Sequence, residues 1–195
     1  MSFEETLEME ARDAAVNGGL YYRGSKPRPN MSRSALDADK NGRYVELGSF
    51  EAISYNPRKE RYVAVVNLTY DALISLYNVD SRELGICRFY RFDDSPRRAI
   101  EGFLKRMSRA PANIEVRLIG FQSGQDAPLH EIMDFVKKRR LRLVEIDLFG
   151  ANVRHVSIDS MLGSDFDLLL EDRIYRPGEL KNVTTLEQFE RTTKK

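Results

Sequence analysis

A layered α+β sandwich, built on a mixed β-sheet with a hairpin and two packed helices, is the fold class this sequence predicts. Three observations point there. Residues 43–68 and 141–171 are rich in β-branched and aromatic residues broken by turn formers. Two amphipathic patterns, at 96–109 and from Asp126 onward, each lie between strand-like runs. The order is strands first, then β and α in alternation, then strands again, which suits helices layered on a sheet. With 195 residues, 42% of them hydrophobic and including 10 Phe and 9 Tyr, the chain can fill one core of ordinary size.

Along the chain, Phe3, Leu7, Ala11 and Ala14 recur at helical spacing and predict a short helix over 3–16, closed by Asn17-Gly18-Gly19. Residues 24–42 are rich in Ser, Pro, Asn and charge without periodicity, and read as a flexible arm. Residues 1–42 thus form an N-terminal helix and arm ahead of a domain over 43–173. RYVELGSFEAISY and ERYVAVVNL, separated by Asn56-Pro57-Arg58-Lys59, predict a β-hairpin. Residues 69–77 predict a short helix, and 86–90 a strand in which Ile86, Arg88 and Tyr90 alternate with Cys87 and Phe89. Ser95-Pro96 supplies an N-cap and a first-turn proline for a helix whose core stripe is Ala99, Ile100, Phe103, Leu104 and Met107. A strand at 114–121 follows, then a helix capped near Asp126 with Leu129, Ile132, Met133 and Val136 inward and the cations of 137–140 at its end. LRLVEI, NVRHVSI and DLLLE predict three more strands. Residues 174–195 form a polar C-terminal tail in which Leu186 and Phe189 dock as one helical turn.

Thirty-one Lys and Arg against 30 Asp and Glu leave a formal charge of +1, so no global field draws this chain to nucleic acid or anionic membrane. One cysteine forms no internal disulfide, and the acidic start lacks the apolar core of a signal peptide, so a cytoplasmic location is expected. No run approaches the roughly 18 apolar residues that insert into a bilayer.

Chemistry-bearing residues are few. His130 falls on the polar side of a helix's first turn. His155 shares a strand face with Ser157 and Asp159 by period two, a potential Ser/His/Asp group, although alternation with Val156 and Ile158 is also the pattern of a half-exposed strand. Cys87, with Arg88 and Arg91 nearby, is the one candidate thiol nucleophile, and His155 its candidate base, for a thiol-dependent amidohydrolase; a buried apolar role is the alternative. Residues 137–142 offer five cations to an anionic partner, but cations at a helix C-terminus also suit the macrodipole, and without interleaved aromatics nucleic-acid binding is not the expectation. Gly120, Gly124 and Gly150 stand isolated, so no phosphate loop, cofactor or metal site is expected.

Leu47-Gly48-Ser49-Phe50-Glu51-Ala52-Ile53 followed by Asn56-Pro57 resembles the Leu-Gly-Ser-Cys-Val-Ala-Val…Asp-Pro signature of CheD, the bacterial chemotaxis protein that deamidates receptor glutamines. The helix at 96–109 with Ile114 to Gly120 is similar to that family's central helix and the strand entering its glycine-rich turn. Glu145 to Asn152 resembles its Glu-Asp-x-Gly-Gly-Asn segment. The likeness spans 43–171 in order, and implies an α/β protein acting on or binding receptor helices or signalling adaptors. It departs at the chemistry. The family's cysteine falls at Phe50, and its histidine at Val66 or Asn67, so neither nucleophile nor base is present. The resemblance therefore implies a degenerate, non-catalytic member whose site, Gly48, Ser49, Phe50 and Asn67, binds a protein partner.

Overall fold

The structure, a computed structural model, describes residues 21–22, 44–46, 52–55, 62–69, 71–90, 97–107, 113–120, 126–148, 153–159, 166–171, 176, 183–185, 187–188 and 191. Eleven strands and two helices are described: β1 (Tyr21–Tyr22), β2 (Tyr44–Glu46), β3 (Ala52–Tyr55), β4 (Tyr62–Leu68), β5 (Asp71–Asn78), β6 (Leu84–Tyr90), α1 (Arg97–Arg106), β7 (Ile114–Gly120), α2 (Asp126–Lys138), β8 (Arg142–Leu148), β9 (Val153–Asp159), β10 (Phe166–Glu171) and β11 (Val183–Thr185). They form a six-stranded sheet, β1-β8-β7-β5-β6-β3, and a five-stranded sheet, β10-β9-β4-β2-β11. Both are mixed: β7 and β8 run parallel, as do β2 and β4, while β5 is antiparallel to both β6 and β7. The layered α+β class predicted by the sequence is the fold observed.

The core explains the layering. Ala72, Ile74, Leu76, Val116 and Leu118 join Ile100, Phe103, Leu129, Ile132 and Phe135 in one apolar cluster, so both helices cover one face of the six-stranded sheet. Every residue of β5 and β7 is buried, so the opposite face is covered as well. There Arg88 of the first sheet donates to the Asn67 carbonyl of the second, and Val65, Leu68 and Val156 of the second are buried. The two helices thus cover one face of the six-stranded sheet, whose other face is buried as well, and Arg88 and Asn67 join it to the five-stranded sheet.

Two local expectations are corrected. Residues 71–78 are a strand, not a helix: a short continuous apolar run has no diagnostic period, and this one sits between β6 and β7 with both faces covered, which only a central strand can use. The hairpin predicted over 43–68 does not form. Ala52–Tyr55 pair with β6 in one sheet, while Tyr62–Leu68 pair with β2 and β9 in the other, so the chain changes sheet between them. The hairpin of the six-stranded sheet is β5–β6, whose turn is closed by Asn78 Oδ1 accepting from Asp80 and Ser81 N–H and by Arg82 at φ 58°. At the sheet edges, β1 and β11 pair in parallel with β8 and β2. The predicted helix at 3–16, the arm at 24–42, the Ser95-Pro96 cap and the contacts of Leu186 and Phe189 lie outside the described residues.

Candidate functional site

β4 carries an irregularity that organises the polar chemistry of the molecule. Val65 pairs with Val156 and Leu68 with Arg154, so Val66 and Asn67 together oppose the single residue His155. This is a β-bulge, and Asn67 sits in it at φ 57°. Asparagine is among the few non-glycine residues that adopt this left-handed conformation readily. Both sides of its peptide are held. Its N–H donates to His155 Nδ1 at 3.1 Å, and its C=O accepts from Arg88 Nη2 at 3.1 Å.

Arg88 is fixed in turn by Asp71, whose Oδ2 accepts from Nε and Nη2, each at 2.6 Å. Exposures of 0% for His155, 8% for Arg88 and 5% for Asp71 show how far this chain of groups is withdrawn from water, whereas Asn67 is half-buried. Gly120 closes the same end. At φ 98°, a Cβ there would stand 2.6 Å from the Asp71 carbonyl oxygen and 3.0 Å from Ala72 Cα, so only glycine lets the end of β7 approach the start of β5.

The burial of His155 corrects the half-exposed strand read from its alternation. Val156, pointing the other way, is buried too, because β9 is covered on both faces here. The side chains of Ser157 and Asp159, the other members of the Ser/His/Asp reading, lie outside the described residues. In such a group the carboxylate accepts from Nδ1–H, but this Nδ1 is itself the acceptor of a backbone N–H, so a neutral ring carries its proton on Nε2. His130, as expected, is exposed on α2.

Cys87 is not brought to His155. It belongs to the apolar cluster with Ile100 and Phe103, on the helix side of the sheet, whereas its neighbour Arg88 points to the opposite side, toward Asn67. Burial pushes its thiol from the ordinary 9.0 up to about 11, and only 5% of the residue is exposed. A thiol so placed is a core side chain. Among the described residues no group of three or more His, Cys, Asp or Glu could hold a metal ion. No helix described is long and apolar enough to cross a membrane.

Of the four residues the resemblance selects, Asn67 is described, and Gly48, Ser49 and Phe50 lie outside the described residues. Nearby strand ends are nevertheless informative. Ala52, the first residue of β3, pairs with Cys87, next to Arg88. Gly120 and Leu148, the last residues of β7 and β8, pair with each other, and Gly120 lies against Asp71. Arg154, at the start of β9, pairs with Leu68 beside the bulge. The strand ends flanking 47–51, 121–125 and 149–152 therefore meet around Asn67, His155, Arg88 and Asp71. Sequence reading placed Asp71 in a predicted short helix and Arg88 only as a cation beside Cys87, so it missed their link to Asn67; an acidic residue opening an otherwise apolar run was the available signal.

No family model matches this chain, and no curated protein matches it. Among solved structures it is similar to the crystal structure of Neisseria meningitidis protein NMB0706, family-model DUF152, with 10% identity and a TM-score of 0.37, over 89% of this chain and 75% of that one. None of these comparisons assigns the chain to CheD, and that resemblance rests on the quoted segments.

Proposed function

We propose that this chain is a non-catalytic, CheD-like protein-binding module of chemotaxis or related signalling, which engages a receptor helix or a signalling adaptor at the end of the sheets around Asn67. The observation that carries this reading is convergence: the segments bearing the resemblance, among them Gly48, Ser49 and Phe50, flank strand ends that meet at the Asn67 bulge. A left-handed residue held by hydrogen bonds on both sides is the kind of pre-organised backbone that binding sites retain. The placement of the chain's one cysteine in the core, on the helix side of the sheet, supports this reading over a thiol enzyme. A large aromatic at position 50 would serve such a site as an anchor.

Glutamine-bearing receptor helices, titrated into the protein by calorimetry and then weighed by mass spectrometry, test this. Binding is expected, weakened about tenfold or more by Phe50→Ala or Asn67→Ala, with no glutamine-to-glutamate mass gain. A mass gain abolished by Cys87→Ser would replace this reading with a thiol deamidase. Failure to bind receptor helices and adaptors alike would remove it.

A further inference from the structure

The helix layer carries a second feature, independent of the Asn67 site. Arg97 of α1 and Arg139, just past α2, lie 42 positions apart in sequence, yet their guanidinium carbons stand 5.8 and 5.4 Å from the centroid of one ring, Phe135. Around them Arg98, Lys137, Lys138 and Arg140 are exposed, and the Arg97 side chain is 54% exposed. Among the described residues, Glu101 pairs with Arg97 and Asp134 with Lys138. In a chain whose formal charge is only +1, this is a local concentration of positive charge.

Helix stability does not account for it. Cations in the last turn of α2 suit its macrodipole, but Arg97 and Arg98 open α1, which has no acidic residue in its first turn, and there a cation opposes the dipole. Arg140 is also unfavourable where it stands. Leu141 N–H bonds to the Val136 carbonyl and Arg140 N–H to that of Lys137, a Schellman end that places Arg140 at φ 55°, where glycine is the usual residue. Arginines at positions that do not favour the fold point to a role outside it.

We infer that this two-helix face binds the phosphate backbone of duplex nucleic acid. The guanidinium fork matches phosphate oxygens, and four of these six cations are arginine. Among the described residues the one large exposed hydrophobic is Val79, in the β5–β6 turn, so the face lacks both the apolar anchor of a protein interface and the wedge of a membrane-surface helix. Among the described residues it also carries no exposed aromatic on which single-stranded bases would stack. Binding is then sequence-independent, in the range of about 10⁻⁴–10⁻⁶ M at physiological salt. The sequence-level run 137–142 is redrawn accordingly: Leu141 is buried and Arg142 is paired with Glu115 at 2.6 Å, while Arg97 and Arg98 join from α1.

Fluorescence anisotropy of the full chain with labelled mixed-sequence duplex DNA and duplex RNA, over a salt series, provides the test. The logarithm of affinity should fall linearly with that of salt, with a slope smaller by about one for each arginine removed in Arg97→Ala and Arg139→Ala. Arg140→Gly is the decisive variant: it relieves the left-handed strain, so its melting temperature should rise while its affinity falls. No binding at low salt, unchanged affinity in Arg140→Gly, or tighter binding to phosphatidylserine vesicles or polyglutamate than to either duplex would overturn the inference.

Discussion

Cys87 lies where three strands run side by side, its backbone paired with Ala52 on one side and Ile74 on the other. Its thiol, buried against the helix layer, stays protonated up to about pH 11. The native protein should therefore resist a maleimide at neutral pH and become fully labelled once unfolded; rapid labelling of the native state would contradict this placement. The same shift makes stability pH-dependent with a definite sign. The unfolded thiol ionises first, so its contribution is complete below 9.0 and is lost as pH rises from there toward about 11. A cysteine within an alternating strand could have faced either way in the sequence. The helices decided, because they cover only one face.

Packing between elements turns on small residues as much as large ones. An ideal Cβ at Gly85 of β6 would lie 2.6 Å from Cγ of Phe103, a side chain only 1% exposed on α1. Gly85→Ala should therefore destabilise the fold by about 1–3 kcal/mol in urea titrations, with part of the loss recovered in Gly85→Ala/Phe103→Leu. Additive losses would show that the ring is not the obstacle. At this scale the helices, the strands that follow them and the apolar stripe of α1 were legible in the sequence, since an amphipathic period survives whatever it packs against. The strand β5 and the true hairpin were not legible. Their signal is a continuous apolar run, and its meaning depends on neighbours drawn from distant sequence.

For the whole molecule, the connection between the two sheets is the feature most open to test. Arg88 bonds Asp71 within its own sheet and the Asn67 carbonyl across the interface, while His155 fixes the N–H of the same residue. Arg88→Met should cost about 3–5 kcal/mol, because it takes the guanidinium from beside a buried carboxylate, and Asp71→Asn/Arg88→Met should lose less than the single change. Equal losses would mean that the pair is not coupled. A further set of charges joins β7 and β8: Arg117 approaches Glu115 at 3.1 Å and Glu145 at 3.6 Å, with all three residues buried. By itself, the sequence determined the layered α+β class, the two helices and their inward stripes, and the core placement of its one cysteine as one of two options. These follow from composition and local period, which act over a few residues. Only the tertiary structure decided that Asp71, Arg88, Asn67 and His155 form one group, that Arg97 and Arg139 share a ring, and that the chain changes sheet after Tyr55. Those are pairings between distant positions, fixed by which strands stand side by side and which face each layer covers, and no local pattern encodes them.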